Sequence, residues 1–184
     1  MKIIPTDIPE VLAVDPSVYG DERGFFFECF NLKLWREKTG LSQPFVQHNH
    51  SRSAKGVLRG LHYQIQQPQG KLVRVVAGEV YDVAVDIRKG SPTFGKWVGA
   101  YLNADNKREF WIPEGFAHGF VVLSDMAEFL YITTDYYAPE HERCIVWDDP
   151  DINIEWPIDF APLLSEKDRD GSLLRDAELY PYHP

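Results

Sequence analysis

The middle of the chain alternates apolar and polar residues with period two. In Val80-Tyr-Asp-Val-Ala-Val-Asp-Ile-Arg88 one face carries Tyr81, Val83, Val85 and Ile87, and the other Asp82, Ala84, Asp86 and Arg88. That pattern predicts a half-buried β-strand. Residues 71–76 read as a strand ahead of it, joined through Ala77-Gly78-Glu79. Residues 97–102, 109–112, 119–123, 128–134 and 144–147 continue the series. Turn residues separate them: Lys89-Gly-Ser-Pro92, Asn103-Ala-Asp-Asn106, Pro113-Glu-Gly115 and Ser124-Asp125. Many short strands with a turn about every ten residues predict an all-β sandwich or barrel. Helix signals are few. Asn31 to Lys38 fits a short helix stopped by Gly40. Ser165-Glu-Lys-Asp168 has the spacing of a capping box and predicts a second helix, running through Leu174.

Composition narrows the classes. The chain has 184 residues, enough for one well-buried domain spanning 1–184, with no linker, repeat or low-complexity tract. Nineteen Lys and Arg face 28 Asp and Glu, a net charge of −9, which argues against a nucleic-acid partner. An anionic small ligand stays compatible, because a cleft can carry a charge opposite to that of the whole. The two cysteines, Cys29 and Cys144, make no disulfide framework. Apolar runs such as Phe120-Val-Val-Leu123 are far short of the ~20 residues of a membrane helix. The first residues meet Pro5, Asp7 and Glu10 and form no signal-peptide core. A cytoplasmic protein without membrane contact is the expectation.

Six histidines are candidates for chemistry: His48, His50, His62, His118, His141 and His183. His48-Asn-His50 would place two imidazoles on one side of a strand, a weak metal signal on its own. Gly60-Leu-His-Tyr-Gln64 and Pro113-Glu-Gly-Phe-Ala-His118 together resemble the two motifs of the cupin superfamily, whose fold is a jelly roll, or double-stranded β-helix. Metal-binding cupins place two histidines two apart in the first motif. Here the slot reads His62-Tyr-Gln64, so the expectation is a cupin without a metal and without a cofactor.

Longer motifs then follow in order: Gly20-Asp-Glu-Arg-Gly-Phe-Phe26, Val46-Gln-His-Asn-His-Ser51, Gly56-Val-Leu-Arg-Gly-Leu-His-Tyr63, Gln69-Gly-Lys-Leu72, Asp86-Ile-Arg-Lys-Gly-Ser-Pro92, Trp111 to Phe120, Tyr131, Tyr136-Tyr137 and Leu164-Ser-Glu-Lys-Asp168. This series, from about Asp7 to Gly171, resembles the dTDP-4-dehydrorhamnose 3,5-epimerases. The resemblance implies inversion of the two carbons flanking a ketone in a dTDP-linked 4-keto-6-deoxy sugar. Such chemistry needs a base, an acid on the opposite face, and a donor or cation at the carbonyl oxygen.

The resemblance also implies roles. His62 is the base, paired with Asp168, which the capping-box spacing independently casts as a helix-cap acid. Tyr131 is the proton donor, although an aromatic in a strand is ordinarily core. Lys71 serves the C4 oxygen, and His118 is a sugar or oxyanion contact. Arg23, Arg59 and Lys167 match positions that bind the diphosphate. Glu28, Gln47, Asn49 and Glu142 match polar contacts, with position 48 contributing only the backbone of His48. Tyr137 matches an aromatic that stacks on thymine, with neighbouring Tyr136 as the alternative. The resemblance further implies a homodimer in which Arg23 and Glu28 act on the partner's site. Alternative readings are a mono-epimerase or ketoisomerase on a related sugar and, further off, a metal-dependent cupin oxygenase or a non-catalytic sugar-binding jelly roll.

Overall fold

The computed structural model describes residues 1–182. Its strands are β1 (Lys2–Pro5), β2 (Leu12–Asp15), β3 (Tyr19–Asp21), β4 (Gly24–Phe26), β5 (Gln47–Ala54), β6 (Leu58–Gln64), β7 (Lys71–Ala77), β8 (Glu79–Asp86), β9 (Arg88–Lys89), β10 (Trp97–Asn103), β11 (Glu109–Ile112), β12 (Phe116–Val122), β13 (Met126–Thr133), β14 (Glu142–Cys144) and β15 (Tyr180–Pro181). Two short helices, α1 (Leu32–Thr39) and α2 (Glu166–Arg169), complete the regular structure together with two 3₁₀ turns. A six-stranded sheet in the order β1-β2-β11-β7-β13-β5 faces a five-stranded sheet in the order β10-β8-β12-β6-β14, with antiparallel pairing throughout both. This is the cupin-like jelly roll.

Apolar side chains from both inner faces meet between the sheets, among them Val73, Val75, Val80, Phe110, Ile112, Phe120 and Phe129. Two further clusters cover the outer faces. Trp35 of α1 packs edge-on against Trp111 of β11 at 5.4 Å on the back of the large sheet. Ile152, Trp156, Leu174 and Tyr180 from the C-terminal segment cover Val83, Val85 and Ala117 on the back of the small sheet. The expectation of a half-buried strand at residues 80–88 is therefore corrected: β8 is covered on both faces. Its alternation reflects an apolar outer side under the C-terminal segment and an inner side where the buried carboxylates Asp82 and Asp86 have dedicated partners.

The expected strand at 109–112 coincides with β11, while that at 119–123 begins three residues earlier, so His118 is inside β12. The predicted strand at 144–147 instead spans Glu142–Cys144. Helix α1 starts after Asn31, whose side chain accepts the Leu34 N–H at 3.1 Å, and ends at Gly40 in the left-handed conformation, φ 73°. The predicted helix from Ser165 to Leu174 stops at Arg169. Gly171 there lies against β14, where a Cβ would come within 3.1 Å of backbone atoms of Cys144, Ile145 and Val146. Ser172 then exchanges backbone hydrogen bonds with Cys144 and Val146, so pairing with the sheet replaces the helix.

Candidate active site

Strands β5 and β14 are the free edges of the two sheets on the same side. Between them opens a cleft of about 300 Å³, lined by Gln47, Asn49, Ser51, Arg59, His62, Gln69, Lys71, His118, Phe120, Phe129, Tyr131, Tyr137, Glu142 and Lys167. Moving inward, β13 and β6 bring Tyr131 and His62 from the large and the small sheet. β7, β12 and β8 then close the floor with Lys71, His118 and Asp82.

The motif around His62 follows from a close approach of β6 to β12. His62 and His118 are cross-strand partners. Gly60 sits at φ 122°, and a Cβ on it would lie 2.6 Å from the Gly119 Cα and the His118 carbonyl oxygen, so only glycine fits. Its N–H donates to Asp168 Oδ1 at 3.1 Å. The same oxygen accepts the His62 Nε2–H at 2.6 Å, and Ser165 donates its hydroxyl to Oδ2 at 2.6 Å. Asp168 is 3% exposed. Burial works against its ionisation, but the hydrogen bonds from His62, Ser165 and Gly60 outweigh it and hold the carboxyl well below the usual carboxylate range. With Nε2 donating to Asp168, the neutral His62 ring keeps its lone pair on Nδ1. Burial lowers the His62 pKa, and the Lys167 and Lys71 charges lower it further against the opposing pull of Asp168.

On the facing wall, Tyr131 shares the inward side of β13 with Phe129. Burial raises its phenol pKa, so the proton stays on oxygen near neutral pH. Lys71 opens β7, and burial brings its ammonium down to about 8, against the pull of Glu142 and Asp82. His118 Nε2 donates to both carboxylate oxygens of Asp82, at 2.9 and 3.0 Å. Asp82 is wholly buried. At the mouth, Glu142 accepts from Lys167 Nζ at 2.8 Å and from the Tyr137 hydroxyl at 2.9 Å. Gln47 donates to Asn49 at 2.9 Å and accepts the Tyr137 N–H at 3.0 Å, while Arg59 Nε donates to Ser53 at 3.1 Å.

The cleft thus gathers His62, Lys71, Tyr131, Gln47, Asn49, Arg59, His118, Tyr137, Glu142 and Lys167, with Asp168 directly behind His62. Tyr137 is in the lining and Tyr136 is not. Three residues lie elsewhere. His48 alternates with Gln47 and Asn49 and so falls on the outer face of β5, beside a second cavity with Leu72, Arg74 and Glu109. Arg23 stands in the exposed β3–β4 hairpin, ion-paired to Asp21. Glu28 follows that hairpin and is exposed. The lining residues Ser51, Phe120 and Phe129, together with Gln69 and with Asp82 beneath His118, were not singled out as site residues from the sequence. A period-two step from Asn49, His118 and Tyr131 reaches the first three. Asp82 had no signal beyond being a polar residue in an apolar strand.

Metal-ligand geometry is weak. His50 is occupied by Glu128 at 3.1 Å rather than converging with His48. The Gln64 amide holds a loop, donating to the Gln67 and Tyr136 carbonyls and accepting the Ala138 N–H. Among the described residues, His62, Cys144 and Asp168 bring ligand atoms within 4.8 Å of one another. However, His62 and Asp168 bond each other directly, and burial pushes the Cys144 thiol up to about 12, far from the thiolate that a metal requires.

The profile of the dTDP-4-dehydrorhamnose 3,5-epimerase family matches residues 5–176. The chain is 64% identical over 181 residues to a dTDP-4-dehydrorhamnose 3,5-epimerase of Pseudomonas aeruginosa, covering 98% of this chain and 100% of that one. It superposes with TM-score 0.98 and 57% identity on a dTDP-6-deoxy-D-glucose-3,5-epimerase of Legionella pneumophila solved with dTDP-4-keto-L-rhamnose, covering 100% and 99% of the two chains. A 3'-monoepimerase of Streptomyces bikiniensis, solved with dTDP-quinovose, is more distant, with TM-score 0.88, 35% identity, and 93% and 87% covered. With a histidine–aspartate pair facing a tyrosine across a cationic cleft, and with these likenesses along its length, the chain belongs to the dTDP-4-dehydrorhamnose 3,5-epimerase family.

Proposed function

We propose that this chain is an isomerase that inverts C3 and C5 of dTDP-4-dehydro-6-deoxy-D-glucose, yielding dTDP-4-dehydro-L-rhamnose for dTDP-L-rhamnose synthesis. The observation that carries the reading is that His62 on the small sheet, bound at 2.6 Å to Asp168 of α2, and Tyr131 on the large sheet line opposite walls of one cleft. A C–H bond beside the C4 carbonyl is acidic because its conjugate base is an enolate. His62 Nδ1 takes that proton, and the Lys71 ammonium stabilises the charge that develops on the C4 oxygen, with His118 as a contact to the sugar. Tyr131 returns a proton to carbon from the opposite side, which inverts the centre. The proton on His62 and the one missing from Tyr131 then re-equilibrate with solvent, so no cofactor or metal enters the balance.

Arg59 and Lys167 bind the diphosphate, Lys167 leaving Glu142 to do so. Tyr137 stacks on thymine, worth ~1–3 kcal/mol for such contacts. Gln47, Asn49, Glu142 and the backbone of His48 complete the polar contacts. Arg23 and Glu28 act on the site of a second copy in a homodimer. Support for this comes from the hairpin that carries Arg23, which leaves Tyr19, Phe25 and Phe26 at 68%, 64% and 73% exposure, away from the protomer's own cleft. The whole chain works as one domain, in the cytoplasm, on a small molecule.

Proton NMR of the dTDP sugar with the enzyme in D₂O tests the reaction. Deuterium at both C3 and C5 with formation of the L-sugar is expected. Deuterium at only one of the two carbons would make the protein a mono-epimerase. Deuterium at neither carbon would overturn both.

A further inference from the structure

The floor of the cleft is divided by chemistry. One half is polar, made by Lys71 and by His118 on Asp82. The other half is two phenylalanine rings, Phe120 and Phe129, stacked with centroids 4.2 Å apart and planes 13° from parallel. Both rings line the cleft, yet they are only 5% and 1% exposed, so their cleft faces form its closed end. Phe120 is two residues beyond His118 on β12, and Phe129 two residues from Tyr131 on β13. Each step carries the inward face ~6.6 Å along its strand, about the breadth of a sugar ring with one substituent.

We infer that the Phe120–Phe129 pair is the subsite for the C6 methyl group, and that it makes the cleft select a 6-deoxy sugar over its 6-hydroxy counterpart. The inference rests on the proposed reading of the cleft as the site of a dTDP-4-keto-6-deoxy sugar. With the C4 oxygen at Lys71, the ring carbons on either side carry a hydroxyl at C3 and a methyl at C5. The methyl is the one wholly apolar substituent of that sugar, and the paired rings are the one wholly apolar stretch of the floor. A methyl there leaves water without stranding a polar group. A C6 hydroxyl there would lose its water and meet two rings that offer neither donor nor acceptor.

An apolar pocket rejects an added hydroxyl by only ~10²-fold, which sets the expected size of the effect. The test compares kcat/KM for dTDP-4-dehydro-6-deoxy-D-glucose and dTDP-4-dehydro-D-glucose. The wild type should prefer the 6-deoxy sugar by about 100-fold. Phe120→Tyr keeps the ring and adds a hydroxyl at the floor, and it should reduce that preference at least about tenfold while leaving affinity for dTDP alone unchanged. Unchanged dTDP affinity also shows that the variant is folded. Equal turnover of the two sugars by the wild type would overturn the subsite. So would a preference that survives both Phe120→Tyr and Phe129→Tyr with dTDP affinity intact. Turnover of neither sugar, by contrast, would overturn the proposed reaction and the subsite with it.

Discussion

His62 and Lys71 must be in opposite protonation states for the proposed chemistry, and burial favours the neutral form of both, which suits His62 and works against Lys71. Desolvation, aided by the nearby lysines, keeps the His62 pKa below its ordinary 6.5, so the ring is neutral and basic at pH 7. Desolvation also lowers Lys71, but only to about 8, so most of its ammonium survives at pH 7 to meet the C4 oxygen. The sign of each limb follows. As pH rises, kcat/KM should climb while His62 loses its proton, at a pH below 6.5, and should fall again around pH 8 as Lys71 loses its charge. The raised Tyr131 phenol contributes to neither limb. Lys71→Met should lower the rate and abolish the alkaline fall. A residual activity that still declines around pH 8 would assign that limb to another group.

Helix α2, only four residues long, opens on a motif with two roles in the proposed reading. Ser165 accepts the Asp168 N–H at 3.2 Å as an N-cap, and it donates its hydroxyl to the carboxylate that holds His62. Capping acid and proposed partner of the base are therefore one residue; the spacing Ser165-x-x-Asp168 reports the cap, and the family resemblance the pairing with His62. Ser165→Ala should cost about 1 kcal/mol of stability and also move the acidic limb of the pH profile, because the Asp168 carboxylate loses a donor. A stability loss with an unmoved limb would leave Ser165 as a cap alone. Strand β11 offers a second test at this scale. Burial raises the Glu109 carboxyl to about 8, only partly relieved by Arg74, whose Nε has no partner among the described residues. Folding thus favours protonated Glu109, and stability from this group falls as pH rises from its unfolded value of 4.5 toward 8. Glu109→Gln should be stabilising, and by more at pH 8 than at pH 5, in thermal unfolding. A gain that does not grow with pH would contradict this.

The legibility of the elements follows the same physics. β7, β8, β10, β11 and β13 were readable because an apolar face is buried. β5, Gln47-His-Asn-His-Ser-Arg-Ser-Ala54, shows no apolar alternation because its inward face lines a polar cleft, so only the motif resemblance pointed there. The end of α2 was not readable because a bond between distant segments, Ser172 with Cys144, decides it. Asp82 was hidden for a similar reason: its meaning depends on His118, 36 residues away.

The two-sheet architecture brings these pieces together, since residues far apart in sequence become opposite walls of one cleft. In the proposed dimer the same logic extends across copies, with Arg23 of one protomer completing the site of the other. A mixed dimer of Arg23→Ala and His62→Ala chains tests it. If Arg23 acts across the interface, one of its two sites keeps both wild-type residues, and about half the wild-type activity should return. Activity no higher than that of the single variants would place Arg23 in its own protomer's site. The central claim is that the small sheet supplies the base and the large sheet the acid. Its most direct test is Tyr131→Phe incubated with the 4-keto sugar in D₂O, scored for solvent exchange and for inversion in the same sample. His62 can still remove a proton and return a deuteron from its own side, so exchange should persist while the L-configured product falls sharply. The L-sugar formed at the wild-type rate, or exchange and inversion lost in equal measure, would contradict it.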